Sequence, residues 1–229
     1  MRNSLIILKK QLKDTLKNKT VLIQFILFPV MTLIMENAIK IDGMPELFFT
    51  KLFSVMYIGM APLTSVASII SEEKEKNTLR VLTMANVKPW QYLIGVGFYV
   101  WFICMLGAGV MATGLKKEDI PFYLLVMAAG FAISILAGAC IGVFSKNQMT
   151  ATSIVMPVML IFAFSPMLGM FNENIEKVAR FAYTQQLKRI MDDMTFAGIK
   201  TDNICILTIN AMLMMALFFI AFRKKDWNK

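Results

Sequence analysis

The chain contains no histidine. That removes the zincin motifs and every Ser-His or Cys-His system in which an imidazole takes the nucleophile's proton. It has no G-x-S-x-G run and no G-x-x-x-x-G-K-[ST] run, so it carries no P-loop for ATP phosphates. Cysteine is scarce. Cys104, Cys140 and Cys205 fall in or at the ends of apolar runs, with no spacing suited to a metal or a redox pair, and packing is their expected use. Charge is scarce too. Only 17% of the 229 residues are charged against 57% hydrophobic, and a soluble domain of this length carries far more charge.

What is present are apolar runs too long for a buried core. They predict membrane spans at 20–39, 50–71, 89–114, 120–145, 148–170 and 203–222. A hydrocarbon core takes about 20 apolar helical residues. The runs show no alternation, and backbone groups in lipid must be satisfied within the segment, so helices are expected rather than strands. The expectation is a single all-α membrane domain over residues 1–229 with six transmembrane helices.

The basic residues orient it. With the N-terminus inside, the inner segments hold 15 of the 24 Lys and Arg and the outer segments nine. Acids sharpen the asymmetry, with five inside and ten outside. Both termini are therefore expected in the cytoplasm, in a multi-pass plasma-membrane protein of bacterial type. The formal net charge of +9 is a topology signal and is spread over loops and tails, so no nucleic-acid partner is expected. The first run has a long basic leader, a full span and no A-x-A-like site after it, which reads as a retained anchor rather than a cleaved signal.

Residues 1–19 differ from the rest. Leu5, Leu8, Leu12 and Leu16 recur at helical spacing with Lys9, Lys10, Lys13 and Lys17 on other faces. This predicts an amphipathic helix on the inner membrane surface, either a simple anchor or a lever to a partner below.

A charged stretch, SEEKEKNTLRVL from Ser71, interrupts the oily chain between the second and third spans. Ser71 is placed to cap a short helix over 72–84, with Glu72, Glu73 and Glu75 in its first turns and Arg80 late, in the order that suits the helix dipole. The competing reading is a charged cytoplasmic extension of the second span.

The run Glu73-Lys74-Glu75-Lys76-Asn77-Thr78-Leu79 resembles the acid–base–acid–x–Gly–Thr–Leu signature of ABC-2 type transporter permeases. Lys88-Pro89-Trp90-Gln91-Tyr92 resembles the turn that starts their third span. In that family the signature marks a coupling helix between spans two and three. An amphipathic connecting helix precedes the first span, a re-entrant segment lies at the outer half of the fifth, and an extended outer segment lies between the fifth and sixth. The resemblance implies that Glu72, Glu73, Lys74, Glu75, Asn77, Thr78, Leu79 and Arg80 dock an ATPase. It also implies a separate ABC ATPase subunit that binds ATP and Mg, no cofactor on this chain itself, and a second permease chain, identical or related. Asn77 departs from the usual Gly. Asn is the next residue most tolerant of left-handed backbone geometry, so a turn there survives.

Other positions bear on a transport pathway. Pro29, Pro62, Pro157 and Pro166 fall inside spans, and the pair in the fifth predicts a broken outer half there. Ile175, Val178 and Phe181 predict a short interfacial helix within the outer segment 171–202. Ser134, Gly138 and Gly142 form a small-residue stripe on the fourth span, read as intrachain packing. Glu36 reads as an interfacial residue or a cation ligand, and Asp192-Asp193 as a solvated face. Met156, Met159, Phe162, Phe164 and Met167 are candidate pathway residues, with Met212, Met214 and Met215 on the sixth span. Flexible Met and large Phe suit varied amphipathic ligands, and lipid-facing filler is the alternative. The function expected is the permease half of an ATP-driven exporter for an amphipathic peptide, such as a toxin or antimicrobial, or a hydrophobic drug. Lipid is the alternative substrate. A non-transporting membrane immunity or sensing module that sequesters a peptide is the alternative class.

Overall fold

A computed structural model describes residues 19–39, 43–78, 84 and 89–224. The amphipathic stretch expected over 1–19 lies outside the described residues, Lys19 excepted, as do Leu79 and Arg80 of the signature. The described chain is helical: α1 (Lys19–Ala38), α2 (Phe48–Glu75), α3 (Pro89–Met111), α4 (Ile120–Phe144), α5 (Gln148–Leu168), α6 (Glu173–Ala179), α7 (Tyr183–Asp193) and α8 (Thr201–Lys224), with single 3-10 turns at Ala112–Gly114 and Phe196–Gly198. Five helices are long and apolar enough to cross a membrane: Phe48–Glu75, Gln91–Gly114, Ile120–Phe144, Gln148–Leu168 and Thr201–Ile220. Leu22–Ala38 is a shorter apolar helix.

Local chemistry sets several helix starts. Pro121 sits in the first turn of α4, where its missing N–H is no loss. Asn147 caps α5 by accepting from the Thr150 N–H at 2.9 Å, and Asn172 caps α6. At α2 the preceding residue, Leu47, has a left-handed φ of 60° and contributes no capping side chain. Glu36 of α1 supplies the acceptor instead, taking the Thr50 N–H at 2.8 Å and its hydroxyl at 3.1 Å. Glu36 thus caps a neighbouring helix, a use that neither of its sequence readings anticipated.

α2 is the hub. It packs on α1, α3, α4, α5 and α7, and 78% of its apolar stretch is buried. The closest approach is to α4, where the small-residue stripe does its packing. A methyl group added at Gly138 would run into the Leu63 carbonyl, and one at Gly142 into Ile70. Gly59 of α2 lies equally close to the backbone of Phe162 and Ala163 on α5. The stripe is used within the chain, as its sequence reading held.

The prolines explain a set of buried hydroxyl bonds. Pro29 has no N–H to give the Phe25 carbonyl one turn back, and the Tyr57 hydroxyl of α2 donates to that oxygen at 3.2 Å. Pro62 likewise frees the Ile58 carbonyl, which accepts from Ser134 of α4 at 2.6 Å. The Tyr183 hydroxyl in turn lies 2.8 Å from Ser134 Oγ. Neither proline breaks its helix, because a neighbour satisfies what it releases. The break expected in the outer half of the fifth span does not occur either. α5 runs unbroken from Gln148 to Leu168 with both Pro157 and Pro166 inside it.

The polar segment after α5 holds more than the one short helix expected. α6 contains Ile175 and Val178, which with Phe181 just beyond it are exposed. The chain then turns and α7 enters the bundle. Its Tyr183 end packs against Ser134 and Phe162, in the interiors of α4 and α5, while the Asp192 carbonyl near its other end accepts from Lys51, close to the start of α2. The turn's carbonyls are covered by side-chain amides. Gln186 donates to Arg180 O, and Asn210 of α8 donates to Phe181 O at 2.9 Å. Non-helical backbone at this depth is tolerated only when protein covers it in this way.

We expect Gly138→Leu to force α2 and α4 apart and to destabilise the protein by about 1–3 kcal/mol, read as a lowered unfolding midpoint in detergent. Gly109→Ala, which meets nothing within 4 Å, should leave the midpoint unchanged. Ser134→Ala should cost about 1 kcal/mol by leaving the Ile58 carbonyl bare.

Candidate functional site

Glu72, Glu73, Lys74 and Glu75 of the charged signature occupy the last turn of α2, while Thr78 and Met84, beyond the Asn77 turn, are helical again. Ser71 is not an N-cap. It is buried inside α2, and its hydroxyl bonds back to the Ser68 carbonyl at 3.0 Å. The helix that holds it began at Phe48 and continues through Glu75, so Glu72, Glu73 and Glu75 lie at a C-terminus. Residues 72–75 thus extend the second span, and Leu79 and Arg80 lie outside the described residues. The helix stops at Asn77, whose φ of 56° is left-handed. Its N–H bonds to the Lys74 carbonyl at 3.0 Å and the Lys76 N–H to the Glu72 carbonyl at 2.9 Å, which closes the last turn. Asn therefore does here what Gly does in the signature.

Successive helical residues point about 100° apart, so the last turn of a central helix faces several neighbours at once. Glu73 is 7% exposed, and its carboxylate faces the buried hydroxyl of Tyr92 on α3. Lys74 reaches the C-terminus of α4, where its ammonium donates to the Val143 carbonyl at 2.7 Å and to the Ser145 carbonyl. Glu75 reaches the start of α5 and accepts the Gln148 N–H at 2.9 Å. The Gln148 side chain adds a bond to Ser68 at 3.2 Å. Each sign matches the helix end it meets. A cation sits at the carbonyl end of α4 and an anion at the N–H end of α5. Glu72 pairs with the exposed Lys76 one turn on, while Thr78 lies half-buried just past the turn.

The five candidate pathway residues meet different neighbours. Met156 lines an open groove of about 510 Å³ with Glu75, Gln148, Met149, Thr152 and Ser153. Met159 packs against a small cluster around Leu63, Ala67 and Ile141. Phe162 lies 4.9 Å from the Tyr183 ring, and Phe164 and Met167 pack on the main core. On α8, Met212 and Met215 are exposed and Met214 is half-buried against the small cluster. Asp192 pairs with Lys188 at 2.8 Å, and both Asp192 and Asp193 are exposed at the end of α7. A second cleft, of about 590 Å³, includes Glu36, Glu46, Thr50 and Lys116 at the opposite end of α2 from the signature.

Sequence reasoning did not find Gln148, Ser145, Tyr92 or the hydroxyls of Tyr57 and Tyr183. For Tyr57 and Ser134 a signal exists. A proline inside a span marks the carbonyl four residues earlier as needing a donor, although it does not say which helix supplies one.

A sequence model of the ABC-2 family transporter proteins matches residues 2–222, nearly the whole chain. The chain belongs to that family. No curated protein matches it. It is thus a multi-pass membrane component of a transporter, from a family whose permeases work with an ABC ATPase and are not ATPases themselves.

In this ABC-2 protein, Asn77→Gly should preserve the turn, while Asn77→Val places a β-branched residue in left-handed geometry. We expect the second to lower stability by about 1–2 kcal/mol and the first to leave it within a few tenths, measured on the same detergent-solubilised protein.

Proposed function

We propose that the chain is the transmembrane subunit of an ATP-driven exporter, built from six spans with Lys19–Ala38 counted as the first. In this reading the signature end of α2 faces the cytoplasm and both termini lie inside. The excess of basic residues on that side supports the orientation. ATP and Mg bind on the partner ATPase, and this chain's part is to receive the displacement and change shape. The observation that carries the proposal is the family match together with the end of α2. There Glu75, Lys76 and Asn77 are exposed while Glu73 is buried. The docking contact is accordingly assigned to Lys76, Asn77 and the residues that follow, with Glu73 facing inward and Glu75 held by the Gln148 N–H.

The protein works as a pair of permease chains. The apolar surfaces of α5 and α8 support this. Only 22% and 6% of their apolar stretches are covered within the chain, which leaves ample face for a second copy and for lipid. The substrate is amphipathic or hydrophobic, a peptide or drug, and leaves the cell by alternation between inward-open and outward-open states a few kcal/mol apart. The Met-rich groove beside Met149 and Met156, at the cytoplasmic end of α5, supports entry from that side.

The test is uptake into inside-out vesicles that contain this chain with its ATPase, using labelled amphipathic peptides and dyes. Uptake that requires both the chain and ATP is the expected result. A cysteine replacing Asn77 should resist an impermeant maleimide in intact cells and react once the cells are opened. Reaction in intact cells would invert the topology and end the docking assignment.

A further inference from the structure

We propose that Lys74 and Glu75 form an internal clamp that makes the cytoplasmic ends of α2, α4 and α5 move as one body. On this view they are positioning residues that carry a displacement of the α2 terminus into the bundle, rather than the surface that grips the ATPase. The inference rests on the exporter reading above.

Three observations converge on it. The two side chains leave one helical turn towards two different helices: Lys74 to Val143 and Ser145 at the end of α4, and Glu75 to Gln148 at the start of α5, while Glu73 beside them is buried. The groups they hold are carbonyls at the end of α4 and an N–H at the start of α5, so each contact suits the partial charge of the helix end it meets. The signs are also not interchangeable. Lysine at 75 would meet an N–H, and glutamate at 74 would meet carbonyls. The order base–acid at 74 and 75 is what a central helix needs if its neighbours on either side of a tight turn are one helix ending and the next beginning.

The next link in the chain of contact lies further along. α4 carries α8, with Cys140 of α4 in contact with the Met214 carbonyl at 3.1 Å, and α8 packs on α7. A push on the last turn of α2 is therefore delivered to α4 through Lys74 and passed on to α8 and the inserted α7. The Asn77 turn, immediately after the clamp, joins it to the segment where the ATPase docks.

The experiment uses the complete permease–ATPase complex and two readouts. The first is hydrogen exchange at the Gln148 amide, which belongs to the first turn of α5 and has only Glu75 to protect it. Lys74→Met with Glu75→Ala should speed its exchange by about tenfold or more. Lys74→Arg, which keeps the donors, should not. The second readout is maleimide labelling of Cys205, the exposed native cysteine on α8, while Cys104 and Cys140 are buried. In the wild-type complex its rate should change when ATP is added. In the double variant the ATPase should still co-purify at wild-type levels, and the ATP dependence of Cys205 labelling should be lost. Unchanged exchange at Gln148 would overturn the clamp. Loss of the ATPase from the double variant would make these residues docking contacts and overturn the proposal. A wild-type complex in which Cys205 labels at one rate with and without ATP would overturn the transmission. Failure of the wild-type chain to bind any ATPase would instead remove the exporter reading, with the exchange result still standing on its own.

Discussion

Everything in this structure answers to one constraint: a helix buried on nearly all sides within an apolar bundle has no water to satisfy its polar groups. α2 is that helix. Its neighbours must supply every donor and acceptor that its own hydrogen-bond ladder leaves open. Ser134 meets the carbonyl freed by Pro62, Tyr123 meets Ser54 at 2.6 Å, and Glu36 meets the N–H and hydroxyl of Thr50. α2 returns the favour where α1 has its own proline, through Tyr57. These bonds are individually modest, about 0.6 kcal/mol on average for side chains in membrane bundles. Their larger effect is on register. Each one pins a helix at a stated height against α2, and the glycines at 59 and 138 let the backbones approach closely enough for the bonds to form.

The same constraint shapes both ends of the site. At the signature end, charged side chains are admitted because helix termini offer complementary partial charges. Lys74 and Glu75 are thereby turned from solvated loop residues into ties between helices. At the other end, a polar segment folds back into the bundle. Gln186 and Asn210 make that possible by covering the carbonyls of the turn at Arg180 and Phe181. An inserted, amide-rich helix beside Phe162 and Tyr183 places adaptable polar groups next to an aromatic contact.

Much of this was legible beforehand. The apolar runs located the membrane helices within a few residues, because length and composition alone decide what lipid tolerates. The signature was recognised together with its odd residue, and Asn77 adopts the left-handed turn that its side chain permits. The small-residue stripe on α4 was read as intrachain packing, and it is. What misled was direction. Ser71 followed by three glutamates has the order of a helix start, yet the helix was already 23 residues old at that point, so the same charges stand at its end. The prolines of α5 suggested a break, but a proline in a membrane helix breaks it only if nothing absorbs the released carbonyl. The five candidate pathway residues share a span, and a helix distributes residues around its whole circumference, so they face different neighbours.

By itself the sequence determined the class of the molecule, its long apolar helices, the asymmetry of its charges, the lack of a P-loop run and the family to which it belongs. These follow from counts, runs and one short motif, which survive without knowing what touches what. Only the tertiary structure decided that α2 is the hub, that Glu36 caps it, that α7 returns into the bundle, and that Lys74 and Glu75 are tied to the ends of α4 and α5. Those facts depend on which helix ends lie beside one another. Nearly every face of these helices is apolar, so the pattern of residues along each one says little about its neighbours, and their assignment waits for the backbone groups that only packing brings together.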